Sequence, residues 1–170
     1  CSSDLIWEVP DFNKSYMLIA DTSRGDGNDT SAFQIIDIFT GDQVAEYKGD
    51  IDIKLYPNFI VSKAIEYNNA LVIAENVGIS ISTINAIIEI GYKNLYYSPK
   101  GDTTDVHKFM YTDPSMEPDK FTPGFTTSTK TRPQVFLVFK GYFQDRSINL
   151  KSTRLISEIS KFIWKNGKEN

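Results

Sequence analysis

The sequence predicts an α/β domain with a mixed five-stranded sheet flanked by helices, and two features carry that expectation. Three short apolar runs of strand character follow one another, and later runs alternate with stretches of helical period. That order builds antiparallel strands first and helix-covered strands after. Two of the runs, Tyr16-Met-Leu-Ile-Ala-Asp21 and Leu71-Val-Ile-Ala-Glu75, also share one design, in which a buried strand delivers a carboxylate to an edge of the sheet. With 170 residues, 41% hydrophobic and 24% charged, the chain has enough apolar material for one domain with a substantial core.

Taken in order, residues 1–15 carry Trp7 and Pro10 among mostly polar neighbours and show no clear period. They are expected to be the tail of an interdomain linker, leaving 16–170 as the folded domain. The run to Asp21 opens into Thr22-Ser-Arg-Gly-Asp-Gly-Asn-Asp29, a loop of turn residues. Ala32-Phe-Gln-Ile-Ile-Asp-Ile38 follows closely enough to pair with it as a hairpin, with Asp21 at the open end. After the turn Thr40-Gly-Asp42, residues 44–48 read as the third strand of a meander. Residues 53–67 keep helical spacing, and Pro57 is tolerable in the first turn.

Leu71–Glu75 must then return to the sheet, and its continuous apolar character predicts burial on both faces. Residues 80–90 read as a helix with Ile81, Ile84, Ile87 and Ile88 on one face and Gly91 as its stop. Residues 95–97 are a short fifth strand. Residues 98–129, broken by four prolines, offer 106–111 and 121–125 as strands of an inserted hairpin. A largely buried helix is expected from Thr131 to about Gln144, and an amphipathic one from Thr153 to Trp164 with Gly167 as its stop. Three antiparallel strands followed by helix, strand, helix, strand is the ribonuclease H-like order. Resemblance to that architecture implies chemistry where the first and fourth strands end side by side, here at Asp21 and Glu75.

Charge and cysteine usage narrow the chemistry. The net charge of -4 conceals a segregation: residues 1–120 hold 9 Lys/Arg against 19 Asp/Glu, whereas 121–170 hold 9 against 3. If folding keeps the two apart, a polyanion can lie on the basic part while a metal sits in the acidic one. Asp21, Asp26 and Asp29 would repel one another unless a cation or hydrogen bonds offset the charge; a metal loop and a solvated Gly/Asp turn both fit. The lone Cys1 allows no internal disulfide and no cysteine-based metal site, which fits a reducing, intracellular compartment. No apolar run has the length of a membrane span or the shape of a signal peptide, so no membrane partner is expected. The chain lacks an initial Met and is expected to be part of something longer.

Four segments, in order, carry a family resemblance: Asp21-Thr-Ser-Arg-Gly-Asp-Gly-Asn-Asp29-Thr-Ser-Ala-Phe-Gln-Ile-Ile-Asp37, Gln43-Val-Ala-Glu-Tyr-Lys48, Tyr67-Asn-Asn-Ala-Leu-Val-Ile-Ala-Glu75-Asn76 and Gly124-Phe-Thr-Thr-Ser-Thr-Lys130-Thr-Arg132-Pro133. They resemble the nuclease domain of the large terminase subunit, the DNA-packaging motor of tailed bacteriophages. The resemblance implies a metal-dependent endonuclease that cuts concatemeric double-stranded DNA during genome packaging. It implies Asp21 and Glu75 as catalytic metal ligands, Asp29 as a supporting acid, and Lys130 and Arg132 as a basic approach to DNA. Oxygen donors without His or Cys suit Mg²⁺ or Mn²⁺, two ions in the complete site. His107, the only histidine, is read as a surface residue rather than a general base.

The implied partners are an N-terminal ATPase domain of the same polypeptide, the portal protein and the small terminase subunit, in the host cell cytoplasm. The family's third acidic ligand lies in a Gly-x-x-Asp-Asp-Leu-type motif that falls beyond Asn170, so the resemblance implies a ligand set left incomplete by a C-terminal truncation. Glu158 precedes that position, on the preceding helix, and is read as a cap or the partner of a basic neighbour. No Gly-x-x-x-x-Gly-Lys-Ser/Thr occurs, so ATP hydrolysis is not expected of these residues. The alternative is a catalytically silent ribonuclease H-like module that binds DNA or docks on the portal.

Overall fold

The computed structural model describes residues 3–24, 29–100, 118–129, 131–161, 164–165 and 168–169. Asp26, His107, Lys130, Gly167 and the expected strand at 106–111 lie outside the described residues. Among the described residues no helix is long and apolar enough to cross a membrane.

The first strand corrects the expectation for the N-terminal segment. Ser3–Ile6 is strand β1, antiparallel to a later strand of the sheet, where a linker tail without regular structure was expected. Strand β2 (Tyr16–Asp21) buries Tyr16, Leu18 and Ala20, leaving Ile19 and Asp21 exposed on the opposite face. It pairs antiparallel with β3 (Ser31–Asp37), which pairs antiparallel with β4 (Gln43–Gly49), giving the expected meander. Between β3 and β4, Gly41 has φ +71°, and a Cβ there would sit 2.0 Å from the carbonyl oxygen of Ser147, so only glycine fits that turn.

Helix α1 (Tyr56–Glu66) begins with Pro57 in its first turn, where an amide hydrogen is not missed. Tyr56, Ile60 and Ala64 are fully buried in the main core, and Phe59 packs on Phe33 and Tyr47 with ring centroids 5.4 and 4.9 Å away. Strand β5 (Leu71–Ala74) returns parallel to β2, so the sheet order is β1-β4-β3-β2-β5. Burial alternates along β5, with Val72 and Ala74 buried and Leu71 and Ile73 only half-buried, against the expectation of two buried faces. Helix α2 (Ser80–Ile90) ends at Gly91 with φ +88°. Its buried face is Ser80, Thr83, Ile84 and Ile87, whereas Ile81 and Ile88 are exposed. The Thr22 hydroxyl meets the Thr83 hydroxyl at 3.3 Å, which satisfies a polar group on the inner face.

The expected fifth strand is reduced to a bridge. Leu95 makes one parallel bridge to Val72, and the chain then turns into β6 (Tyr97–Pro99), antiparallel to β7 (Phe121–Pro123). The fifth strand of the main sheet is thus β1. Helix α3 (Thr131–Gln144) has its expected bounds but no buried residue, with Leu137 71% exposed. Val135, Leu137, Val138, Tyr142 and Phe143 are exposed, against the expected burial, while Phe136 and Phe139 are half-buried. Helix α4 (Thr153–Ser160) is shorter than expected, and Trp164, expected in its last turn, belongs instead to β8 (Trp164–Lys165), which pairs with β9 (Lys168–Glu169).

Candidate functional site

The site is built on the ends of β2 and β5. Their parallel register pairs Ala20 with Ala74, so Asp21 and Glu75 come next, side by side on neighbouring strands about 4.8 Å apart. Both fall on the same sheet face, the one opposite the buried Leu18, Ala20, Val72 and Ala74. The strand ends therefore aim two carboxylates into one space.

The charge of Glu75 registers at Asp21. The Asp21 carboxyl is pushed above its ordinary range by partial burial, then by the negative charge of Glu75 and that of Asp29, against a hydrogen bond from the Thr22 backbone N–H. Although the Asp21 side chain remains open to solvent, its neighbours displace enough water to disfavour the charged form. Asp29 is exposed and takes the Thr30 backbone N–H at 2.8 Å, yet it lies near enough for its charge to register at Asp21. A carboxylate so destabilised gains from a nearby cation, and two carboxylates supply the hard oxygens that Mg²⁺ and Mn²⁺ take. Among the described residues no group of three His, Cys, Asp or Glu closes around a metal position.

Two further charges approach from α4. Glu158 pairs with Lys48, the basic neighbour on β4, and its own charge still reaches Asp21 weakly. Arg154 lies 2.7 Å from Glu46, whose side chain is 1% exposed, so α4 is held across the acid-bearing face by two ion pairs. The segment before α4 is tied to β4 as well. The Gln43 side-chain oxygen accepts the backbone N–H groups of Lys151 and Ser152, both at 2.7 Å.

Arg132, in the first turn of α3, lines an open cleft of about 560 Å³ together with Glu75, Phe125, Phe136, Phe139 and Ile159. Ser128 and Thr131 exchange backbone-to-hydroxyl bonds of 2.8 and 3.0 Å ahead of it, which fixes the start of the helix. The structure thus brings Asp21, Glu75, Asp29 and Arg132 to one end of the sheet. Sequence reasoning missed Tyr56, whose buried hydroxyl donates to the carbonyl oxygens of Asp21 (3.1 Å) and Ala32 (2.6 Å). An aromatic at a helix start carries no signal that it will pin a strand 35 residues earlier.

This strand order, with acids at the ends of adjacent β2 and β5, is that of a ribonuclease H-like α/β domain. In fold the chain is similar to large terminase nuclease domains. The structure of the large terminase nuclease from thermophilic phage G20c with bound zinc superposes with a TM-score of 0.67 over 97% of this chain and 80% of that one, at 13% identity. The same G20c nuclease with bound magnesium aligns at TM-score 0.48 and 19% identity, over 52% of this chain and 47% of that one. The Thermus phage P74-26 large terminase nuclease domain aligns at 0.43 and 20% identity, over 49% and 44%. In these last two the matched part spans less than half of the neighbour. No protein-family model and no curated protein matches the sequence.

Proposed function

We propose that this chain is a metal-dependent endonuclease domain of a bacteriophage large terminase, acting on double-stranded DNA. The observation that carries the reading is the juxtaposition of Asp21 and Glu75 on one face at the ends of adjacent parallel strands. Asp21 and Glu75 would hold the metal, with Asp29 adding negative charge beside them. Bound there, Mg²⁺ or Mn²⁺, two ions in a complete site, would supply Lewis-acid stabilisation of phosphate charge and lower the pKa of a water nucleophile. Arg132 faces the same cleft as Glu75, where its guanidinium can hold a backbone phosphate, and Lys130 precedes it in the sequence. Phosphate contacts orient the duplex without reading bases, so cutting should show little sequence preference. The same reading assigns an N-terminal ATPase domain, the portal protein and the small terminase subunit as partners, concatemeric DNA as substrate, and the host cell cytoplasm as location.

Plasmid nicking in Mn²⁺ or Mg²⁺ tests the proposal, with Asp21→Asn and Glu75→Gln as the inactive comparisons. Cutting by a clean Asp21→Asn preparation at the wild-type rate would overturn it. The described residues provide only two closely placed carboxylates on adjacent strands, which favours a second reading as a catalytically silent DNA-binding or portal-docking module. DNA binding or portal binding without metal-dependent nicking would select that reading.

A further inference from the structure

Glu75 sits one residue past the end of β5, on the side of the sheet away from β3, where a strand end would ordinarily fray. It is held instead by a strip from a distant part of the chain. The backbone N–H of Phe125 donates to the Ala74 carbonyl at 2.8 Å, and that of Asn76 to the Phe125 carbonyl at 2.9 Å. These two bonds bracket Glu75, so its own backbone N–H and carbonyl point the other way, toward β2 and Asp21.

The Asn76 side chain reinforces the bracket. Its amide nitrogen donates to the Pro123 carbonyl at 3.2 Å and to the Thr126 hydroxyl at 2.9 Å, spanning the strip from end to end. The Pro123 carbonyl can only accept, which fixes the orientation of the amide. Gly124 lets the strip come this close. It has φ +84°, and a Cβ there would lie 2.7 Å from the Ala74 carbonyl oxygen and 3.1 Å from the Asn76 Cβ.

We infer that Asn76 is a positioning residue: with Gly124 it clamps residues 123–126 to the end of β5 and fixes the backbone of Glu75 so that the carboxylate stays beside Asp21. The inference rests on the metal-site reading above. Partners that orient a metal ligand commonly govern tenfold or more of the affinity. The fold also supplies a control at the opposite end of the same strand, where the Tyr92 hydroxyl donates to the Ala70 carbonyl at 2.6 Å. Tyr92→Phe removes one hydrogen bond from the residue just before β5 without touching the Glu75 end.

The test is calorimetric titration of the whole chain with Mn²⁺ alone, beside amide hydrogen exchange of the metal-free proteins. Asn76→Ala should weaken Mn²⁺ binding at least about tenfold and speed exchange at the Asn76 and Phe125 amides. Tyr92→Phe should leave both unchanged. Thr126→Val should give a smaller loss of affinity, and none when added to Asn76→Ala. Wild-type Mn²⁺ affinity in folded Asn76→Ala, or an equal loss in Tyr92→Phe, would overturn the inference. A wild-type chain whose Mn²⁺ uptake is absent, or indifferent to Asp21→Asn, would overturn the metal-site reading and the positioning role with it. Unchanged exchange at Asn76 and Phe125 would overturn the clamp whatever the metal does.

Discussion

Replacing Tyr56 by Phe deletes one buried oxygen and leaves the ring in place. The residue is fully buried, and its hydroxyl is shared between the carbonyl oxygens of Asp21 at 3.1 Å and Ala32 at 2.6 Å. The variant opens almost no cavity but leaves two part-buried carbonyl acceptors short of a donor, so the expected loss is about 1–2 kcal/mol. In a chain of this length that lowers Tm by roughly 2–8 °C, and urea unfolding near neutral pH measures it directly. A pH dependence accompanies it. Burial, and after it the charge of Asp21, holds the Tyr56 hydroxyl pKa well above its ordinary value, so the unfolded chain loses this proton first as pH rises. The wild type's advantage is therefore complete below about pH 10 and shrinks above it, as the unfolded tyrosine ionises. A Tyr56→Phe protein within about 0.5 kcal/mol of wild type at neutral pH, the range of an inert surface change, would refute the reasoning. So would a gap that widens in alkali.

Asp21→Asn should abolish nicking and yet stabilise the metal-free chain. Because the folded Asp21 pKa is raised, ionisation opposes folding, and the variant's advantage should grow as pH rises from the ordinary aspartate pKa through the folded one; urea melts at acid and neutral pH would show no such trend if the repulsion were absent. Arg154→Ala leaves the Glu46 carboxylate buried without its cation and should cost about 3 kcal/mol, and a loss below about 1 kcal/mol would show the pair to behave as a surface bridge. Gly41→Ala places a methyl against the Ser147 carbonyl at a positive φ and should destabilise by more than about 1 kcal/mol, measured by the same denaturation. Arg132→Ala should weaken DNA binding at all sequences and reduce the log–log salt slope by about 1; an unchanged slope would remove Arg132 from the phosphate contacts.

Much of this fold was legible because strand and helix periods are local. The runs to Asp21 and Glu75, the meander, the bounds of α2 and its stop at Gly91 all follow from residues within one or two turns of each other. Ser3–Ile6 was not legible, since four residues cannot establish an alternation and what makes them a strand is the free edge of β4. The inner face of α2 was misjudged because the polar Ser80 and Thr83 are buried there, which a hydrophobic count does not register. For α3, the apolar content suggested burial, but the sequence could not say whether anything packs against it. At the end of the sheet, the adjacency of Asp21 and Glu75 was readable from where their strands stop. The residues that hold them were not, because Asn76 meets Thr126 across 50 positions and Tyr56 meets Asp21 across 35.

The ties between β4 and the segment leading into α4 have a consequence for how the molecule assembles. Gln43 reaches Lys151 and Ser152 across 108 and 109 positions, and Lys48 reaches Glu158 across 110, whereas the β2-β3-β4 meander closes through short turns. Closing a loop twice as long adds only about 0.6 kcal/mol, but that entropy is spent before the distant contacts return anything. The meander can therefore form first and offer a completed strand as a template, and the C-terminal cover docks on it afterwards. The acid-bearing face of the sheet would then meet water until α4 docks on it through its ion pairs to Lys48 and Glu46.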